Sequence, residues 1–167
     1  LISSDSVVLG KYFFENRSKI NYDELSPQLV NALLATEDIR FREHSGIDVR
    51  ALLRAVKGQL TGSSAGGAST ITQQLAKMLF TKTPASGIER VMQKFKEWII
   101  AVKLERQYAK DEILTMYLNR FDFINNAVGI KSAAQIYFNT TPKELSLQES
   151  AMLVGMLKNP SLYNPNR

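Results

Sequence analysis

Apolar residues recur at helical spacing along most of the chain, and the first clear run begins near position 26. Its members fall on one face of an amphipathic helix: Leu29, Val30, Leu33, Leu34 and Phe41. Ser26 is a good N-cap, and Pro27 suits the first helical position. The pattern predicts a helix from Ser26 to about His44.

Two adjacent carboxylates interrupt that apolar face. Where the spacing requires apolar residues, the chain has Glu37 and Asp38. A buried carboxylate has to be paired, hydrogen-bonded or protonated, and such groups can serve as general acids or bases. The alternative is a helix end at which both acids are solvated or paired with Arg40 and Arg42. The local pattern leaves both interpretations open.

The same periodicity predicts further helices over residues 49–60, 70–80, 88–108, 111–119 and 127–138, and a last one that ends before Asn159. Asp48 and Ser69 are the predicted caps of the first two of these, and a capping box at Ser146 opens the last. The β-prone residues 7–14 predict an extended N-terminal arm or short strand. The expected fold is an all-α domain with about seven helices.

Polar residues form a row on the predicted helix over 70–80. After a Gly/Ser loop, this helix presents Thr70, Gln73, Gln74 and Lys77 on one face. A flexible loop leading into a helix N-terminus, with a lysine two turns later, can cradle an anion. The spacing is not that of a P-loop, and an ordinary polar face explains the row equally well.

The predicted helix over 88–108 carries two neighbouring rows. Its expected core stripe consists of Val91, Met92, Phe95, Trp98, Ile99 and Val102. Beside that stripe, Arg90, Lys94 and Glu97 are spaced i, i+4 and i+7. The simplest interpretation of the second row is a solvated face with an ion pair between Lys94 and Glu97.

Charge and composition narrow the function classes. The 167 residues predict one domain, and 21 basic against 16 acidic residues give a net charge of +5, which favours anionic partners. Arg50, Arg54 and Lys57 make the helix over 49–60 basic on one side, as in helices that lie on membranes, although a solvated face is the alternative. With no cysteine and one histidine, His44, disulfides and multi-His zinc sites are excluded. No signal peptide or membrane-spanning run is recognisable.

Five motifs follow one another along the chain. They are Glu37-Asp38-x-x-Phe41-x-x-His44-x-Gly46-x-Asp48, the segment 67–77, Gln93-Lys94-x-x-Glu97, Tyr117-Leu118-Asn119, and Ala133-Ala134 with Tyr137-Phe138. In this order they resemble the peptidoglycan glycosyltransferase family, the glycan-polymerising domains of class A penicillin-binding proteins and their monofunctional relatives, and the resemblance extends from about Leu9 to Pro165. The resemblance implies a lysozyme-like helical lobe with a smaller, membrane-facing jaw.

The resemblance also implies the chemistry and the site residues. The family transfers the growing lipid-linked glycan chain onto the GlcNAc 4-hydroxyl of lipid II with inversion and releases polyprenyl pyrophosphate. Glu37 would be the general base, and Glu97 the second essential acid at the donor site. The implied substrate-binding residues are Asp38, Phe41, His44, Thr70, Gln73, Gln74, Lys77, Arg90, Lys94 and Asn119. No cofactor is expected, although Mg²⁺ or Mn²⁺ could assist at the pyrophosphate site.

This sequence departs from the family pattern at several motif positions. Gln93 stands where the third motif has Arg, and we expect Arg90, one turn earlier, to take over its phosphate contact. Ala68 replaces a glycine of the second motif. In the fourth motif Ile124 and Asn126 occupy two glycine positions, and Val128 replaces a common Tyr.

The family context implies partners and a location. Lipid II, the nascent glycan chain and a membrane surface are the expected partners, together with a transpeptidase domain of the parent chain and cell-wall synthesis proteins. The expected location is the periplasmic side of the bacterial cytoplasmic membrane, with the anchor segment missing from residues 1–167. No Ser-x-x-Lys motif of a penicillin-reactive site occurs here.

The residues leave three alternative functions open. A lysozyme-like glycan-cleaving enzyme would use Glu37 as a general acid, but has no need of lysines for a pyrophosphate. An inactive scaffold would bind lipid II without turnover. A nucleic-acid-binding module is disfavoured, since the basic residues are scattered over several helices and mixed with acids.

Overall fold

A computed structural model describes residues 19–62, 67–80 and 86–165, and these residues form an all-helical fold, as predicted. The seven α-helices in the described ranges are α1 Pro27–Glu37, α2 Val49–Leu60, α3 Ile71–Phe80, α4 Gly87–Gln107, α5 Lys110–Arg120, α6 Ile130–Phe138 and α7 Leu147–Lys158. A single 3-10 turn, Tyr22–Glu24, precedes them, and Asp122 and Val128 form an isolated β-bridge. The predicted N-terminal arm over 7–14 lies outside the described residues.

The main lobe surrounds α5, whose apolar side chains are fully buried except for the partly buried Met116. Helix α3 packs against both α4 and α5, and α1 packs against α7. The largest completely buried side chains are Tyr117, Phe41 and Phe123. A core of this size fixes the relative positions of the helix ends that form the candidate site.

Helix α1 is shorter than predicted, because it ends at Glu37 and not near His44. Asp38 leaves the helical conformation with φ −159° and ψ 74°, and the chain continues in turns through residue 43. Phe41 is nevertheless completely buried, so the last member of the apolar pattern reaches the core from a turn. The carboxylate of Asp38 bonds to groups outside α1, which accounts for the early end.

The predicted core stripe of α4 was wrong over its first half. Val91, Met92, Phe95 and Ile99 are all more than half exposed, and the buried residues of this helix are Glu97, Ala101 and Leu104. Trp98 and Val102 are half-buried. Only the last turns of α4 contribute to the core. No described residue covers the apolar side of its earlier turns.

Helix α2 also exposes an apolar side, and its bounds and its Asp48 cap are as predicted. The exposed residues are Val49, Leu53, Val56 and Leu60, and α2 buries only Ala51 and Gly58. We call these four residues, together with Ile88, Val91, Met92, Phe95 and Ile99 of α4, the exposed apolar residues of α2 and α4. None of the described helices is both long enough and apolar enough to cross a membrane.

Two other boundaries differ from the predictions. Thr70, not Ser69, caps α3, because its hydroxyl accepts a hydrogen bond from the Gln73 N–H at 3.1 Å. Helix α6 begins at Ile130 rather than 127, since the preceding loop has positive φ at Ile124, Asn125 and Asn126. Ile124 and Asn126 stand where the related family has glycine. Both have a backbone conformation that favours glycine, although both carry side chains.

Gly46 is required where the loop after α1 crosses α4. Its φ of +92° lies in the region that favours glycine, and a Cβ there would lie 2.9 Å from the carbonyl carbon of Ala101 and 3.1 Å from the Val102 nitrogen. The Gly46 carbonyl also accepts hydrogen bonds from Thr70 at 2.7 Å and Gln73 at 3.2 Å. Gly46 therefore joins the loop to α3 and α4.

We expect Gly46→Ala to lower the free energy of unfolding by about 1–2 kcal/mol for the positive φ and by about 1–3 kcal/mol more for the contact with α4. Gly62→Ala is the matched control, because Gly62 has φ +69° but no described atom lies within 4 Å of the place that a Cβ would take. Denaturant unfolding of both variants measures the difference. Equal losses would contradict the close approach to α4.

Candidate active site

A cavity of about 570 Å³ lies where the C-terminal end of α1 meets α2, α3 and the end of α7. Its polar lining includes Glu37, Arg40, Asp48, Arg54, Gln74 and Lys158. Carboxylates, guanidinium groups and an amide thus converge on a single concave surface. This is the arrangement expected of a site that binds a polar ligand and carries out acid–base chemistry.

Glu37 is the last residue of α1, and its half-buried carboxylate lies in the cavity. The Gln74 Nε2 of α3 donates a hydrogen bond of 2.8 Å to its Oε2. Two residues that are 37 positions apart in the sequence are therefore brought together at the cavity. A neutral amide holds this carboxylate without forming an ion pair.

Asp38 turns away from α1 and is buried. Its Oδ2 accepts a hydrogen bond of 3.1 Å from the Ile71 N–H at the start of α3. Both carboxylate oxygens lie 3.0 Å from His44 Nε2. The Gly46 N–H donates to His44 Nδ1 at 3.2 Å, so this geometry assigns the ring proton to Nε2, which donates to Asp38. Asp38 and His44 fasten the loop after α1 to α3.

The two arginines of the first motif pair with other acids, so the alternative in which they pair with Glu37 and Asp38 was wrong. Arg40 donates from Nε at 2.9 Å and from Nη2 at 2.7 Å to Asp48 Oδ2, and Arg42 pairs with Asp111 at 2.9 Å. Burial acts to raise the pKa of Asp48, but the hydrogen bonds from Ala51 N–H and Arg40 outweigh it and hold that pKa below its usual value.

Glu97 lies on the buried side of α4, only 4% exposed, with both carboxylate oxygens engaged. Lys94 Nζ is 2.9 Å from Oε2, and Gln93 Nε2 is 3.1 Å from Oε1. Lys94 also donates to the Ser69 hydroxyl at 2.9 Å. Because Ser69 lines the cavity, this ion pair reaches the edge of the site. The pair of the simplest interpretation is therefore present, but only its lysine is exposed, since Glu97 is buried.

The remaining expected substrate-binding residues are distributed differently. Thr70 and Gln73 are buried and bond to the Gly46 carbonyl. Arg90 lies with Lys94, Phe95 and Trp98 around a second cavity, of about 390 Å³.

Two further residues of that set lie apart from the Glu37 cavity, since neither is among the residues that line it. The Asn119 side chain holds the backbone of Ile20, with its Nδ2 2.9 Å from the carbonyl oxygen and its Oδ1 3.2 Å from the N–H. Lys77 is exposed on α3.

Sequence reasoning missed Tyr117 as part of this site. Its hydroxyl donates a hydrogen bond of 2.9 Å to Gln74 Oε1, on the side of the amide opposite to Glu37. Burial, and to a smaller extent the charge of Glu37, raise the pKa of the Tyr117 phenol. The apolar period of α5 predicts that Tyr117 belongs to the core, and its ring is indeed buried there. An apolar period carries no information about the partner of the hydroxyl.

A second missed feature is the Glu105–Lys110 ion pair. Lys110 Nζ lies 2.7 Å from Glu105, donates to the His44 carbonyl at 2.6 Å and sits 4.3 Å above the Phe41 ring. Glu105 accepts a further hydrogen bond of 2.6 Å from Thr72 of α3. This pair connects the loop after α1 to α3.

The residues around Glu97 do not fit a metal ion held by the protein. Both of its oxygens already accept hydrogen bonds, and one of the donors is an ammonium group. No group of three or more acidic, His or Cys side chains with ligand spacing occurs in the described part of the chain. We therefore derive no step through a divalent cation.

Comparison with known proteins assigns this chain to one family. The Transglycosylase family model matches residues 5–167, so the chain belongs to that family. It is 39% identical over 166 residues to penicillin-binding protein 1A of Escherichia coli K12, covering 99% of this chain and 19% of that protein.

Two other relatives are similarly close. Penicillin-binding protein 1A of Neisseria lactamica is 42% identical over 164 residues, which cover 98% of this chain and 20% of that protein. Penicillin-binding protein 1F of Bacillus subtilis strain 168 is 40% identical over 166 residues, covering 99% and 23%. The chain thus spans about a fifth of the length of these relatives.

We expect Asp48→Asn to lower stability by about 1–2 kcal/mol at neutral pH, because Asn still caps α2 but loses the charge that Arg40 binds. Since the folded pKa of Asp48 is lowered, its contribution is complete above about pH 4 and is lost as the pH falls through the folded-state pKa. Denaturant unfolding at several pH values tests this.

The control for this measurement is Asp111→Asn, which removes the exposed partner of Arg42. Exposed pairs contribute about 0–1 kcal/mol, so its effect should be small. A difference between wild type and Asp48→Asn that persists unchanged at about pH 2 would contradict the assignment.

Proposed function

We propose that this chain polymerises peptidoglycan glycan strands. In this reaction the lipid-linked growing chain is the donor, and the GlcNAc 4-hydroxyl of lipid II is the acceptor. The observation that carries the proposal is Glu37, a carboxylate at the cavity held by the neutral Gln74 amide. In the described part of the chain no lysine or arginine is paired with this carboxylate, which leaves it open to a proton from a bound hydroxyl. Membership of the Transglycosylase family supports the reaction type.

In the proposed step Glu37 takes the proton from the acceptor 4-hydroxyl while that oxygen attacks C1 of the donor sugar. The bond between C1 and the diphosphate oxygen breaks, and its electron pair leaves with polyprenyl diphosphate. Attack from the face opposite to the leaving group inverts the anomeric centre. General-base catalysis of this kind typically contributes about 10²–10⁴-fold to the rate.

Lys94 is the proposed counter-charge for the departing diphosphate. It reaches the edge of the cavity through Ser69, and buried Glu97 holds its ammonium in place. A preorganised cation stabilises negative charge as it develops on the leaving group. Lys77 and Arg90 would add positive charge on the same side of the substrate. Glu97 then acts by fixing Lys94 and not by direct proton transfer.

We propose a membrane surface as a partner because α2 and α4 expose the apolar residues defined above. These residues accompany Arg50, Arg54 and Lys57 on α2, a combination that suits an anionic bilayer surface. Both donor and acceptor carry a polyprenyl chain, so a domain at the membrane surface meets them where they reside. We place the domain on the periplasmic side of the cytoplasmic membrane, in a longer parent chain that also carries a transpeptidase domain.

We expect Glu37→Gln to reduce polymerisation of labelled lipid II in detergent by at least about 100-fold, because Gln cannot accept the proton. The control is Glu43→Gln, an exposed glutamate whose carboxylate lies 3.9 Å from Arg50 and which is not among the residues that line the cavity. Gel separation of the glycan products and a parallel lipid II binding assay provide the readouts.

Three outcomes would overturn this assignment. Normal polymerisation by Glu37→Gln would show that another group is the base. Release of reducing sugar ends from preformed glycan, with no need of a lipid diphosphate donor, would identify a glycan-cleaving enzyme with Glu37 as its acid. Binding of lipid II without polymerisation by the wild type would favour a scaffold.

We expect Arg90→Ala to lower turnover about tenfold, since it removes a charge-assisted contact to the diphosphate that Gln93 cannot make. Arg106→Ala, at the other end of α4 and also exposed, is the control. Initial rates at varied lipid II concentration separate binding from turnover. Normal rates for Arg90→Ala would show that the position does not replace the missing arginine.

A further inference from the structure

We propose that Tyr117 is a positioning residue that fixes the Gln74 amide so that it donates, and does not accept, toward Glu37. The proposal rests on the role of Glu37 as general base. Three helices take part, because Tyr117 lies on α5, Gln74 on α3 and Glu37 on α1. The chain of hydrogen bonds runs from the Tyr117 hydroxyl to Gln74 Oε1 over 2.9 Å, and from Gln74 Nε2 to Glu37 Oε2 over 2.8 Å.

An amide side chain has nearly the same shape in its two flipped orientations, so its neighbours decide which end faces Glu37. A phenol has one hydrogen to donate, and in the described part of the chain Gln74 is the partner that accepts it from Tyr117. Reversing the amide would leave that buried hydrogen without an acceptor and would place a carbonyl oxygen against the Glu37 carboxylate. Both changes are unfavourable while Glu37 is ionised.

The orientation matters because it selects a protonation state. A donor next to Glu37 stabilises the carboxylate, which is the form that can take a proton from the acceptor hydroxyl. An acceptor in the same place would stabilise the carboxylic acid, which cannot. The pKa of the Tyr117 phenol is raised, chiefly by burial, so its hydrogen remains available at neutral pH. Tyr117 thus keeps the Gln74 amide oriented as a donor to the Glu37 carboxylate.

The other charged groups around Glu37 are unchanged by a substitution at Tyr117. The cavity is lined by Asp38, which bonds to His44, and by Arg40 and Asp48, which pair with each other. Arg54 and Lys158 complete the charged lining. Since none of these contacts involves the Tyr117 hydroxyl, an altered pH dependence reports on the amide and its orientation.

Tyr117→Phe tests the proposal by removing one oxygen and keeping the buried ring. We expect kcat for lipid II polymerisation to fall about three- to tenfold at pH values below the acid limb, the size of one lost neutral hydrogen bond, with KM nearly unchanged. The acid limb of the kcat profile should move to higher pH by about 0.5–1, so that the difference from wild type narrows as the pH rises.

Tyr137→Phe is the matched control. Its hydroxyl donates to the Phe123 carbonyl at 2.6 Å in the same lobe, and it has no contact with Gln74 or Glu37. We expect a comparable change in the thermal midpoint and a wild-type pH profile. A Tyr117→Phe enzyme whose rate is lowered by the same factor at every pH would have a structural defect only, and the proposal would be wrong.

A second variant tests whether Tyr117 acts through Gln74. Gln74→Met removes the donor to Glu37 without altering the core ring, and we expect it to move the acid limb in the same direction even if Tyr117→Phe folds poorly. Adding Tyr117→Phe to Gln74→Met should produce no further movement. Independent, additive movements would overturn the proposal.

These results are distinguishable from failure of the proposed function. If Glu37→Gln polymerises normally, the assignment of the base fails, whatever Tyr117 does. If Glu37→Gln is inactive while Tyr117→Phe keeps the wild-type pH profile, the base stands and only the positioning role is lost.

Discussion

The structure depends on the buried carboxylate of Asp38. It ends α1 at the point where Glu37 reaches the cavity, and it accepts the first N–H of α3 and the ring proton of His44. A carboxylate at a helix N-terminus is stabilised by the unpaired N–H groups and the dipole of that helix. This single group therefore joins the end of one helix to the beginning of another and determines where the cavity forms between them.

The loop after α1 is held by contacts with three helices, α3, α4 and α5. Gly46 approaches the α4 backbone too closely for any side chain, and its carbonyl receives Thr70 and Gln73. Lys110 reaches the His44 carbonyl from α5. Several residues of the sequence motifs thus serve to position Glu37, and only a few have polar groups directed into the cavity. Such support is what keeps a reacting group in place to within fractions of an ångström.

The sequence predicted the helices and the family well, because periodicity and motif order are local or one-dimensional signals. It failed where a tertiary contact overrides the local pattern. The apolar period of α4 could not reveal that its stripe faces outward, since periodicity identifies an apolar face but not what covers it. The end of α1 depended on a donor to Asp38 that lies 33 residues away. The Tyr117 hydroxyl was hidden because its ring satisfies the core pattern.

Helix α4 also fixes the distances between the groups that it carries. At a rise of 1.5 Å per residue, Val91 and Glu97, which are six positions apart, are separated by about 9 Å along the helix axis, and Lys94 lies midway between them. The outward apolar side chains and the lysine that contacts Ser69 therefore occupy the same two turns of one rigid element. With those side chains seated in a bilayer, the lysine would lie at the depth of the lipid headgroups. A diphosphate on a membrane-anchored chain would meet its counter-charge without any part of the hydrocarbon leaving the membrane.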